Sequence, residues 1–147
     1  MILMTLILCS CFEQPDCLIN NTNSLKIALK GKTLGKDTTF AFISIRSIDM
    51  NDTLDIQKPA QPIGAVQIPL PLNNTVATII FAYNRNSKLV TDTLVVTYRN
   101  ETRVISPDCG AYLYQHDVEV TKTNFEKVRV TTSILLTTVT KNLEIFL

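Results

Sequence analysis

Residues 76–98, VATIIFAYNRNSKLVTDTLVVTY, decide the fold. Ala77, Ile79, Phe81 and Tyr83 fall on one face of an extended chain, opposite Thr78 and Ile80. After the polar stretch 84–87, which reads as a turn, Leu94, Val96 and Tyr98 alternate with Thr93, Val95 and Thr97. Successive side chains of a strand point to opposite faces, so a period of two marks a strand with one face turned to a core. The β-branched residues in both runs suit a pleated, half-buried surface.

The same period extends outward. Leu25, Ile27 and Leu29 alternate with Lys26, Ala28 and Lys30, which predicts a strand with one wet face. Residues 31–37, with two glycines, form a turn, and residues 40–48 form a strand whose apolar residues on both faces suit a central position. Residues 49–62 are polar and irregular and read as the longest loop. Val66, Ile68, Leu70 and Leu72 alternate again, but Pro69 and Pro71 interrupt them, and proline cannot donate to a strand ladder, so this segment belongs on a sheet edge. A turn at Asn73-Asn74 precedes the deciding stretch, and further turns are expected at residues 99–102 and at Pro107-Asp108-Cys109-Gly110. Residues 111–120 form another strand, residues 124–130 a short helical turn, and residues 128–147 a closing strand broken near Lys141-Asn142. The expected fold is all-β, an immunoglobulin-like antiparallel β-sandwich, with a small closed β-barrel as the alternative. There is no internal repeat or low-complexity tract.

Composition agrees. The 147 residues suffice for one domain, and 46% hydrophobic against 18% charged residues is enough to build a core rather than a disordered tail. The net charge is +1, with basic residues scattered among acidic ones. Nucleic-acid binding needs a basic footprint, so that class is set aside.

The N-terminus carries a second signal. Residues 1–8, MILMTLIL, are apolar but far short of the ~20 residues of a membrane span. Leu8-Cys9-Ser10-Cys11 resembles the lipobox of bacterial lipoproteins, which implies cleavage after Ser10 and lipidation of Cys11. No Lys or Arg precedes the apolar run, a departure that an upstream start or an unusual signal would account for. The resulting division is a signal peptide at 1–10, a lipidated tether at 11–17 and a single domain at 18–147. Two thiols remain, Cys17 and Cys109. In an oxidising compartment an even remainder suggests a disulfide, closing a loop of roughly 90 residues worth about 4.6 kcal/mol in the chain-entropy model. Two buried free thiols are the alternative.

Asp92-Thr93-Leu94-Val95-Val96-Thr97-Tyr98, followed after a turn by Val104-Ile105-Ser106-Pro107-Asp108-Cys109-Gly110, resembles a family of small Bacteroidota lipoproteins of unknown function. Cys17, Ile68-Pro69-Leu70-Pro71-Leu72 and the closing Asn142-Leu143-Glu144-Ile145-Phe146-Leu147 extend the likeness over nearly all of the mature chain. The resemblance implies export, a lipid anchor and a β-rich fold, and no activity.

Catalytic chemistry finds little support. His116 is the only histidine, and its neighbour Asp117 should point to the opposite strand face, leaving His116 a surface residue. Asp52-Thr53-Leu54 and Asp92-Thr93-Leu94 lack the glycine of an aspartic-protease loop. Asp49, Asn51, Thr53 and Asp55 have the spacing of calcium ligands, but Leu54 and Ala60 stand where an EF-hand needs Gly and Glu. No metal or cofactor is expected. Asp37-Thr38-Thr39, Asp52-Thr53-Leu54 and Asp92-Thr93-Leu94 are similar to the motif at which Bacteroidota O-glycosylate exported proteins, which makes Thr53, then Thr38, then Thr93 candidate sites.

The leading expectation is a monomeric, non-catalytic binding or assembly module. It would be held to the outer membrane by its lipid, on the periplasmic face, with an envelope protein or glycan as partner. Phe12-Glu13-Gln14-Pro15-Asp16 offers only two separated acids where a surface-export signal would be acidic, hence the periplasmic face. A barrel-type carrier of a small apolar ligand is the alternative, and a hydrolase with a hidden site the third reading. The edge at residues 66–72 is the candidate surface for a partner strand.

Overall fold

The computed structural model describes residues 22–48, 53–57 and 61–147. Cys11, Cys17, Asp49, Asn51 and Asp52 lie outside them. Within these residues the chain forms strands and no helix: β1 (Ser24–Lys30), β2 (Phe40–Ala41), β3 (Ser44–Ile48), β4 (Thr53–Gln57), β5 (Pro62–Ile63), β6 (Ala65–Pro69), β7 (Val76–Arg85), β8 (Lys88–Ser106), β9 (Gly110–Thr123), β10 (Lys127–Val130) and β11 (Leu143–Phe146).

Two sheets make the sandwich. One has the order β10-β11-β1-β6 and the other β4-β3-β7-β8-β9, with β2 and β5 as a separate short pair. Neither sheet closes on itself, so the barrel alternative is wrong. The larger sheet is antiparallel throughout. The smaller contains one parallel pair, β1 with β11 (Ile27 opposite Leu143, Leu29 opposite Ile145). A parallel pair needs a long connection, and here nearly the whole domain lies between the two strands.

The deciding stretch behaves as its period predicts. Ala77, Ile79, Phe81 and Tyr83 on β7 and Leu94, Val96 and Tyr98 on β8 are buried. They meet Leu25, Ile27 and Leu29 of β1, Val66 and Ile68 of β6, and Leu143 and Ile145 of β11 in one hydrophobic cluster. Each fully buried aliphatic or aromatic side chain contributes about 1.5–3 kcal/mol. Phe40, Phe42, Phe81, Tyr83 and Phe125 add a chain of edge and tilted ring contacts with centroids 4.9–6.0 Å apart. The turn between β7 and β8 is two residues, Asn86 and Ser87, both with positive φ (52° and 61°), the twist that suits a tight hairpin. β6 lies at a sheet edge, as its prolines require.

Other expectations need correction. The strand expected over 40–48 is two, β2 and β3, parted at Phe42-Ile43. The loop expected over 49–62 contains β4 and β5; its Asp and Asn residues masked an edge strand. No turn interrupts residues 99–102, where β8 runs straight through. The helical turn expected at 124–130 is a bend leading into β10.

The second face of β1 is covered rather than wet. Residues 131–142 cross over it between β10 and β11. Lys26 Nζ donates to the carbonyls of Leu136, Thr137 and Val139, while Asn142 Oδ1 accepts from Lys26 N–H at 3.0 Å. Asn142 Nδ2 donates to Thr132 O and Ile134 O, and Leu135 is driven into the core. On the same face Glu144, with a side chain only 1% exposed, is held by Arg129 and Lys141, with Lys30 at 3.7 Å.

The Lys141 ammonium, then the Arg129 guanidinium, hold the Glu144 carboxyl down at about 2 against its own desolvation. A depressed folded-state value means that the stabilisation is complete above the ordinary value of 4.5 and is lost as pH falls towards about 2. Glu144→Gln should therefore cost about 2 kcal/mol at neutral pH and flatten the pH dependence of urea unfolding across that acidic window.

Candidate functional site

β7 pairs with β8 only from Lys88 to Thr97, while β8 continues to Ser106 and turns back into β9 at Gly110. Residues 99–106 and 110–116 thus project as a two-stranded arm about 25 Å long. Among the described residues no strand pairs with the outer edge of β8 along the arm. The turn at its tip, residues 107–109, ends on Gly110 with φ +71°, a conformation that favours glycine.

The cross-strand register sorts the arm into two faces. Asn100 opposite Gln115, Thr102 opposite Leu113 and Val104 opposite Ala111 make one. Its base is braced by the proline segment: Asn100 Nδ2 donates to Leu72 O and Asn74 O, Gln115 Nε2 to Pro71 O and Asn100 Oδ1, and Tyr98 Oη to Pro71 O at 2.7 Å. The residues that blunt the β6 edge thereby anchor the arm. Gln115 Oε1 is buried without a partner among the described residues, and the residue lines an open groove of about 440 Å³ with Thr22, Asn23, Leu72 and Leu113.

Arg99 opposite His116, Glu101 opposite Tyr114 and Arg103 opposite Tyr112 make the other face. The Arg103 guanidinium lies 4.1 Å from the centre of the Tyr114 ring, with Nε 3.1 Å from Glu101 Oε1. Tyr114 stacks on His116 at 5.0 Å and 24°. His116 Nε2 is 3.2 Å from Glu101 Oε2, and Nδ1 is 3.2 Å from Asp117 Oδ2. The expected divergence of His116 and Asp117 is wrong. A register shift between Thr97 and Arg99 and a positive φ of 54° at Asp117 form a bulge that returns the carboxylate to its neighbour. A carboxylate oxygen thus lies 3.2 Å from each imidazole nitrogen.

The sequence-derived candidates stay apart. Thr38 is half-buried, its N–H donating to Leu29 O. Thr53 opens the edge strand β4. Thr93 is half-buried and lies within β8, opposite Ile80, rather than at a strand start. Cys109 is half-buried in the arm-tip turn, its N–H donating to Ser106 Oγ at 3.0 Å. The arm face was missed because its pairing depends on hairpin register. Asp92, set aside as a protease carboxylate, shares the parity of Leu94 and Val96 and so lies on the core side.

No helix among the described residues is long and apolar enough to cross a membrane, and no three potential metal ligands cluster there. Compared with known proteins, the chain matches no curated protein and no solved structure. One family model, whose description records only unknown function, matches residues 58–147, more than half of the chain.

The hydrogen bond from Arg103 holds the Glu101 carboxyl below its ordinary 4.5. Arg103→Ala should move the Glu101 titration midpoint upwards, read by NMR, and speed amide exchange in the arm. Global stability should be nearly unchanged, because these groups are solvent-exposed.

Proposed function

The chain belongs to DUF6452, a family of unknown function, and on that footing we propose that it is a non-catalytic binding module of a bacterial envelope, holding a protein partner on the β8–β9 arm. The observation that carries this reading is the interlocked face of Arg103, Tyr114, His116 and Glu101. Arg and Tyr are the side chains most often found at the energetic centre of interfaces, and side chains already ordered lose less entropy on binding. The open edge of β8 adds main-chain donors and acceptors to which a partner strand can bond. It replaces the β6 edge as the candidate surface. A barrel carrier has no barrel to rest on.

The location rests on Leu8-Cys9-Ser10-Cys11, with Cys11 carrying the lipid and the domain on the periplasmic face of the outer membrane. A Cys17–Cys109 disulfide would tie the tether to the arm tip. Thr22 borders the arm at Leu113 and Gln115. From there an extended chain reaches Cys109 and Cys17 in about 20 and about 17 Å. Among the Asp-Thr motifs, Thr53 on an edge strand is the O-glycan site we favour.

Mass spectrometry of the protein from its native host should find a diacylated Cys11 at the mature N-terminus, a Cys109 thiol that alkylates only after reductant is added, and added glycan mass on Thr53. Cys11→Ala should abolish processing. An intact Met1 terminus in the cytosol would defeat the envelope assignment. A photo-crosslinker at position 102 should capture one defined envelope protein, and Arg103→Ala with Tyr114→Ala should weaken that capture about tenfold. Equal capture by the double variant would defeat the role of the arm.

A further inference from the structure

The end of the sandwich opposite the arm contains a cleft of about 450 Å³, within the usual range for small-ligand sites. Its buried side is apolar, formed by the buried Phe125 and Phe146 with the half-buried Phe40 and Val90 beside them. One charged group enters this apolar wall. Asp92 stands opposite Phe81 on the core-facing side of β8, where the alternation of Leu94 and Val96 calls for a hydrophobic residue.

Asp92 is half-buried and holds a single neutral donor: Tyr83 Oη donates to Oδ2 at 2.6 Å. Among the described residues no Lys, Arg or His comes within ion-pair distance of it. Burial, reinforced by the hydrogen bond to Asp92, pushes the Tyr83 hydroxyl up to about 12, so it remains a donor across the physiological range. The carboxylate therefore keeps acceptor capacity facing the cleft, and a half-buried carboxylate is stabilised by each further donor it gains.

The rim supplies both kinds of hydrogen-bonding group. Asn84 and Asn124 present amides that donate and accept, and Arg85 donates. Lys32 and Glu126 pair across the opening. Asp92 and Glu126 balance Lys32 and Arg85, so the lining as a whole favours neither a cation nor an anion.

We propose that this cleft is a carbohydrate subsite that takes a neutral pyranose ring, with its C–H face against the apolar wall at the half-buried Phe40 and Val90 and its hydroxyls donating to Asp92 and bonding the rim amides. A pyranose has this mixed character, an apolar face bordered by groups that both donate and accept. A free ammonium ligand would satisfy Asp92 but would meet Arg85 and leave the amides without partners. The subsite is separate from the arm and does not depend on it.

The test is titration of the isotope-labelled full-length protein with glucose, mannose, N-acetylglucosamine and maltose at millimolar concentration, followed by amide NMR shifts, with Nα-acetyl-lysine amide as the cationic probe. At least one saccharide should move resonances at Tyr83, Asp92 and Asn124, and Asp92→Asn should weaken that response about tenfold or more while preserving the spectrum elsewhere. Asn124→Ala, on the exposed rim, should weaken it too and guards against misfolding of the Asp92 variant. Arg103→Ala should leave it unchanged, which separates this site from the arm. No shift with any saccharide, shifts confined to other surfaces, a response to the lysine probe alone, or an undiminished response in both cleft variants would overturn the proposal.

Discussion

Strand β11 is inserted between β1 and β10, and the rest of the structure depends on that insertion. All four of its residues are buried. Leu143 and Ile145 complete the core against the larger sheet, while Glu144 carries a charge into the opposite face, where Arg129 and Lys141 neutralise it. A carboxylate taken so far from water is tolerable only with such partners. Meeting that demand also sets the path of the chain before β11. Residues 131–142 must pass over β1 to deliver Lys141 and Asn142, and Lys26 closes them down by binding their carbonyls. The parallel register of β1 and β11 places Phe146 and Leu147 at the sandwich end, where they join Phe125 and Phe40 around the cleft.

The same economy explains the tyrosines that close the core. Tyr83 and Tyr98 sit near opposite ends of the hydrophobic cluster, each apolar in its ring and polar at its tip. Tyr83 reaches Asp92 and Tyr98 reaches the carbonyl of Pro71. One hydroxyl therefore marks the cleft and the other the root of the arm. Both candidate sites are places where the core gives way to hydrogen-bonding groups.

How much of this was legible follows from which residues face a core. On β7 and β8 the alternation of Ile79, Phe81, Leu94 and Val96 with threonines gave strands, inward faces and an all-β sandwich, and Pro69 marked an edge. Where the chain leaves the sandwich that signal disappears. Arg99, Asn100, Glu101 and Thr102 read as a turn because neither face of the arm packs on a hydrophobic layer, yet hydrogen bonding keeps them extended. The bulge at Asp117 was hidden for a different reason, since a positive φ at a non-glycine residue is imposed by its surroundings. The polar face of the arm needed the register of a long hairpin before Glu101, Arg103, Tyr114 and His116 could be seen as neighbours. Asp92 was open to view by parity alone, as the one charge in an inward-facing series. The family match adds membership without chemistry, so the sites rest on geometry.

The length of β8 has a mechanical consequence. Its nineteen residues run from the cleft through the core to the tip of the arm. Tension applied at the tip and directed along the strand would act parallel to its pairing with β7, where Lys88 to Thr97 face Arg85 to Val76. Loaded that way, the bonds between the two strands share the strain together instead of parting one after another like a zipper.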